Sequence, residues 1–97
     1  MLKIAGIQMD ASPDKNKNIE TAVRMIGVAA KKGAKIICLQ ELFNTHWFPF
    51  EINNAHMEMA EDINGKTILA IRKAAKDSGI AVIAPFFERN ADTFYNS

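Results

Sequence analysis

The chain is predicted to be an α/β fold running strand, helix, strand, helix, strand, and three observations lead to that expectation. Two stretches repeat apolar residues at helical spacing, three shorter ones are largely aliphatic, and the two kinds alternate along the chain. Each helical stretch stops at a glycine followed closely by the next strand, the pattern of βαβ crossovers and a mostly parallel sheet.

The first strand lies between Leu2 and Met9, where Leu2, Ile4 and small residues suit a buried strand and Gly6 weakens it. Asp10, Ala11, Ser12, Pro13 and Asp14 then supply turn and helix-start chemistry. In the first helix Ile19, Ala22, Val23, Ile26 and Ala30 share one face, and Lys15, Lys17, Glu20, Arg24 and Lys31 take the other positions. Lys31, Lys32 and Gly33 end it, because cations suit the carbonyl end of a helix and glycine suits a left-handed final residue. A second strand spans Lys35 to Leu39. The segment from Leu42 to Asn64 is a long connection carrying aromatic residues, both histidines and methionines, and loops of that length are usually functional or mobile. From Thr67 a second helix turns Ile68, Ile71, Ala74 and Ala75 inward and stops at Gly79, and Ile80 to Phe87 reads as a third buried strand.

Composition narrows the function classes. With 48% hydrophobic and 24% charged residues, the chain is too apolar for disorder and has a core to bury. Its 12 basic and 11 acidic side chains leave a net charge of +1 without a basic block, which argues against nucleic acid as a partner. No apolar run approaches the roughly 20 residues that span a bilayer, so no membrane partner is expected. A single cysteine and the lack of a leader-like start make a reducing cytoplasm the default expectation.

Glu41 is the leading candidate for chemistry. It follows an aliphatic run, Ala34 to Leu39, and precedes Phe43, Trp47, Phe48 and Phe50. In open α/β sheets the carboxyl ends of the strands face the ligand crevice, so an acid there is placed to act as a general base. A solvated loop glutamate reads the same position equally well. Asn44, Trp47 and Phe48 are candidate substrate-pocket wall, with plain structural packing as the other reading. Cys38 is expected to be a buried core residue, since a thiol inside an aliphatic strand lacks the electropositive, partly open setting of a reactive one. Asp10 with Asp14, and His46 with His56, lack the further ligands of a metal site. The first turn has no glycine to admit a pyrophosphate, which disfavours a nucleotide fold.

Certain segments also resemble the start of a nitrilase-superfamily carbon-nitrogen hydrolase. They are Lys3-Ile4-Ala5-Gly6-Ile7-Gln8-Met9, Asn18, the Ala29-Ala30 to Gly33-Ala34 helix end, Ile36-Ile37-Cys38-Leu39-Gln40-Glu41-Leu42-Phe43, Glu88 and Tyr95-Asn96-Ser97. The Leu-Gln-Glu-Leu-Phe form is similar to the N-carbamoylputrescine amidase and β-ureidopropionase branch.

The resemblance implies that residues 1–97 are the amino-terminal portion of a four-layer αββα sandwich, a partial domain continuing beyond Ser97 in a complete relative. It also implies a Glu, Lys, Cys triad, often with a second glutamate assisting. Glu41 falls on the triad glutamate, and the lysine and cysteine of such enzymes fall after Ser97, so these 97 residues are expected to be inactive alone. The implied reaction is hydrolysis of an amide or N-carbamoyl amine through a cysteine acyl-enzyme, with no metal or cofactor and with a homo-oligomer as the complete form. Two other readings stand beside it, a stand-alone α/β binding or interaction module and a nucleotide-binding half-domain.

Overall fold

The computed structural model describes residues 1–51 and 53–97. Three strands, β1 (Ile4–Ile7), β2 (Ile36–Leu39) and β3 (Ala81–Ile83), form a parallel sheet in the order β1-β2-β3. Ile4 pairs with Ile36 and Ile7 with Leu39, while Ile36 pairs with Ala81 and Cys38 with Ile83. The crossovers are α1 (Lys15–Lys31) and α2 (Lys66–Ser78). A sheet that grows in one direction through crossovers of one hand carries both helices on the same face. They pack on each other there, and one core of Ile7, Ile26, Ile37, Leu39, Ile68 and Ile71 lies between them and the sheet.

The helix boundaries follow from local chemistry. Asp14 caps α1, its carboxylate accepting from the Lys17 N–H at 3.3 Å. Gly33 and Gly79 take positive φ, 95° and 64°, just past the two helices, where a side chain would be strained. Along α1 the buried residues Ile19, Ala22 and Ile26 recur at three and four, and along α2 Ile68, Ile71 and Ala74 do the same. Full burial of Ile26 and Ile37 is worth about 1.5–3 kcal/mol each relative to exposure.

Two expectations are corrected. The third strand does not reach Phe87; it ends at Ile83. After Pro85, a second sheet begins, the antiparallel hairpin of β4 (Phe87–Asn90) and β5 (Thr93–Asn96). Proline removes a ladder donor and fixes φ, so the continuous apolar reading of Ile80 to Phe87 concealed a break. The connection from Leu42 to Asn64 holds a 3-10 helix, Asn54–Met59, capped by the Asn53 side chain.

Cys38 is exposed, not buried. Side chains alternate across a strand, so Ile37 and Leu39 face the helices and Cys38 faces the other way. Ile4 and Ile83, at 69% and 54% exposure, lie with it on a sheet face that nothing covers among the described residues. The burial argument against a reactive Cys38 therefore fails for these 97 residues. What remains is that, among the described residues, its thiol hydrogen-bonds to the Leu39 carbonyl, at 3.5 Å, and to no base.

Candidate active site

The end of β2 is where the chain turns sharply. Gln40 anchors it sideways, its side-chain oxygen accepting from the Met9 N–H at 2.7 Å across the sheet. Glu41 follows, and Leu42 takes φ 54°, a left-handed conformation that is uncommon outside glycine, asparagine and aspartate. The turn closes with the Thr45 N–H donating to the Leu42 carbonyl at 3.1 Å. Leu42, Phe43, Asn44 and Thr45 are all buried beneath it, so the strained backbone is held by its own side chains. Glu41 alone is turned outward and exposed.

Two cavities meet at Glu41. One, of about 340 Å³, is bounded by Glu41, Ile83, Ala84, Pro85, Asn96 and Ser97. The other, of about 320 Å³, is bounded by Glu41, Trp47 and Phe48 together with Phe87, Phe94 and Tyr95 of the hairpin. Phe48, Phe87 and Phe94 are in ring contact in sequence, with centroids 5.2 Å and then 5.7 Å apart, so the second cavity has an aromatic floor. Asn96 stands between the two and donates from Nδ2 to Glu41 Oε1 at 2.6 Å.

Of the residues read from the sequence, the structure brings Glu41, Trp47 and Phe48 together. Trp47 is half exposed at the rim. Asn44 is not pocket wall: it lines neither cavity, and its side chain lies in the interior, 1% exposed. Its Nδ2 donates to Thr67 Oγ1 at 3.0 Å and to Glu61 Oε2 at 3.1 Å, and the Asn44 backbone carbonyl accepts from Asn18 Nδ2 at 3.1 Å. His46 and His56 touch edge to face with centroids 5.7 Å apart. Among the described residues no group of three or more His, Cys, Asp or Glu side chains is placed to hold a metal ion, and no helix is long and apolar enough to cross a membrane.

Sequence reasoning missed Glu61. Its carboxylate accepts from the Thr67 N–H at 3.1 Å, from the Thr67 hydroxyl, from Asn44 Nδ2 and from Lys15 Nζ at 3.1 Å. Burial alone would raise its pKa, but the hydrogen bonds from the Thr67 hydroxyl and N–H and the charge and hydrogen bond of Lys15 outweigh it, so the carboxyl is held below its ordinary value. Glu61 also replaces a missing cap, because Gly65 at the start of α2 has no side chain to offer. That glycine offered a signal in the sequence: a helix that starts without a capping side chain draws its acceptor from elsewhere, and Glu61 stands six residues before Thr67.

Known proteins share sequence and fold with this chain. The carbon-nitrogen hydrolase family model matches residues 3–97. The chain is 36% identical over 101 residues to a nitrilase of Pyrococcus abyssi, with 100% of this chain and 37% of the relative covered. It is 32% identical over 98 residues to the N-carbamoylputrescine amidase of Solanum lycopersicum, covering 100% of this chain and 33% of that one. It is also 34% identical over 100 residues to the omega-amidase NIT2-B of Xenopus laevis, covering 98% and 33%. In three dimensions it is similar to the crystal structure of a carbon-nitrogen hydrolase from Helicobacter pylori G27, with a TM-score of 0.89 and 20% identity over 98% of this chain and 33% of the other, a likeness of fold. The chain thus spans about a third of the length of these relatives. With an α/β fold, a glutamate at the mouth of the sheet and a family match over nearly its whole length, the chain belongs to the carbon-nitrogen hydrolase family.

Proposed function

We propose that these residues form the Glu41 side of an active site that hydrolyses a non-peptide carbon-nitrogen bond, in an amide or N-carbamoyl amine, through a cysteine acyl-enzyme. The observation that carries this reading is Glu41 itself: a carboxylate at the carboxyl end of the central parallel strand, open to two cavities and steadied by the Asn96 amide. The names of the relatives, nitrilase, N-carbamoylputrescine amidase and omega-amidase, support the reaction class.

In this reading the nucleophilic thiol and a stabilising ammonium come from residues outside these 97. Glu41 takes the thiol proton as sulfur attacks the carbonyl carbon, and the ammonium balances the negative oxygen of the tetrahedral intermediate. The carbon-nitrogen bond then breaks, and the departing nitrogen receives the proton from Glu41, leaving as ammonia or an amine. Water enters, Glu41 accepts one of its protons, and the hydroxide so formed attacks the acyl carbon; the carbon-sulfur bond breaks to release the acid, and the proton on Glu41 passes to sulfur, restoring the thiol and the free carboxylate. The aromatic floor beside Glu41 suits the apolar part of a small substrate, with Trp47 and Phe48 as its wall.

The test is turnover of short amides and N-carbamoyl amines by a chain of the relatives' full length that carries these residues. Glu41→Gln keeps size but cannot accept a proton, and is expected to lower the rate by roughly 10²–10⁴ fold. A near-parental rate would end the general-base reading. The 97 residues alone are expected to show no turnover; activity in them would place the nucleophile inside this chain.

A further inference from the structure

An exposed side chain on a turn is only as well placed as the turn that carries it. Two separate attachments fix Glu41, and both lead to Glu61. The first runs through side chains. Asn44, three residues after Glu41 in the same turn, donates to Glu61 Oε2, and that carboxylate is itself fixed by Lys15 from α1 and Thr67 from α2. The second runs through the backbone. The Glu61 N–H donates to the Phe87 carbonyl at 3.0 Å, and the Arg89 N–H donates to the Glu61 carbonyl at 2.8 Å, so β4 runs beside Glu61. Phe87 pairs with Asn96 on β5, and Asn96 donates to Glu41.

We propose that Glu61 is a positioning residue for Glu41, its carboxylate setting the turn that bears Glu41 and its peptide groups setting the hairpin that brings Asn96 to the Glu41 carboxylate. This rests on the reading of Glu41 as general base. Capping α2 requires only the contact with Thr67; it does not require Asn44 or the bridge to β4. Gly65 makes room for the arrangement, since a Cβ there would stand 2.8 Å from Glu61 Oε1 and 2.9 Å from the Asp62 carbonyl oxygen. Displacement of a reacting group by about 1 Å can cost of order 100-fold in rate, so a residue that never meets the substrate can still govern turnover.

The experiment compares Glu61→Gln, Thr67→Val and Glu41→Gln in a chain of the relatives' full length, with Ile26→Val as a core control that lowers the melting temperature without touching the circuit. Glu61→Gln turns an amide donor toward Asn44, Thr67 and Lys15. It is expected to lower kcat about 10- to 100-fold with KM changed less than about threefold. Thr67→Val keeps its shape and loses the hydroxyl; the expectation is a fall of about 3- to 10-fold, and it decides the matter should Glu61→Gln not fold. Ile26→Val should leave kcat within about twofold, and Glu61→Asp, which retains the charge, should recover part of the loss. Parental kcat in both Glu61→Gln and Thr67→Val, beside an inactive Glu41→Gln, overturns the positioning role alone. So does a fall in the Ile26→Val control that matches theirs. A near-parental rate in Glu41→Gln overturns the general-base reading and this inference with it.

Discussion

Glu41 and Glu61 are two carboxylates at opposite ends of one long loop, and their surroundings differ in nearly every physical respect. Glu41 is exposed and, among the described residues, has one hydrogen bond, from an exposed asparagine. Glu61 is largely enclosed and accepts from four donor groups on three side chains and one peptide, with a lysine among them. A carboxylate whose lone pairs are filled by protein groups has no capacity left for a substrate proton; an open one does. The contrast is between an open carboxylate and a filled one, it supports the proposed general-base role of Glu41, and it can be broken at either end.

The largest expected effect is on rate at Glu41. Together with its loss of turnover, Glu41→Gln should leave the melting temperature within about 2 °C, because an exposed side chain with one partner adds little to stability. A large drop in melting temperature, read by scanning calorimetry, would move Glu41 into the structural class.

Next comes Lys15→Met. It removes the cation from Glu61 and leaves a carboxylate that still has its neutral donors. Both side chains keep some exposure, 20% and 11%, so the full cost of a buried pair does not apply and a loss of about 1–3 kcal/mol is expected in urea unfolding. Unchanged stability would show the ion pair to be ornamental and Thr67 with Asn44 sufficient.

A smaller effect appears on acidification. The folded pKa of Glu61 is depressed, so its contribution is fully present above the ordinary glutamate value of about 4.3 and is lost as pH falls through the lower, folded value. Stability should therefore fall on acidification below about pH 4.3, and Glu61→Gln should flatten that slope. Parallel slopes in the parent and Glu61→Gln would remove Glu61 as the source.

The smallest effect is at Cys38. With its side chain on the uncovered face, Cys38→Ala in the 97-residue chain should cost less than about 0.5 kcal/mol, and a thiol reagent should modify the native protein without prior unfolding. Slow modification limited by unfolding would mean that the face is covered in solution, for example by self-association through Ile4 and Ile83.

The order of elements and the face each helix buries were legible because periodicity of apolar residues is a local signal: Ile19, Ala22 and Ile26, or Ile68, Ile71 and Ala74, reveal their burial by spacing alone. The position of Glu41 was legible for the same reason, as the point where an aliphatic strand ends. What stayed hidden depends on partners distant in sequence. Nothing near Asn44 says that its amide meets Glu61, 17 residues on, or that Asn96, 55 residues from Glu41, returns to it. Cys38 was misread for a related reason. An aliphatic run such as Ile36 to Leu39 looks buried on both faces, and which face has a neighbour is a property of the whole assembly of layers.

The left-handed backbone at Leu42 limits which sequences can occupy the position after the glutamate. Glycine would release the strain but would empty a site where the leucine is 5% exposed, and asparagine would suit the conformation but bring an amide into the core. Valine, isoleucine and threonine branch at Cβ, where the left-handed region is least forgiving, and proline cannot reach φ 54° at all. A saturation library at this one codon, selected for folded protein, should return apolar side chains that do not branch at Cβ, such as leucine and methionine, so that the neighbour of the glutamate is chosen by torsion and volume even though it performs no chemistry.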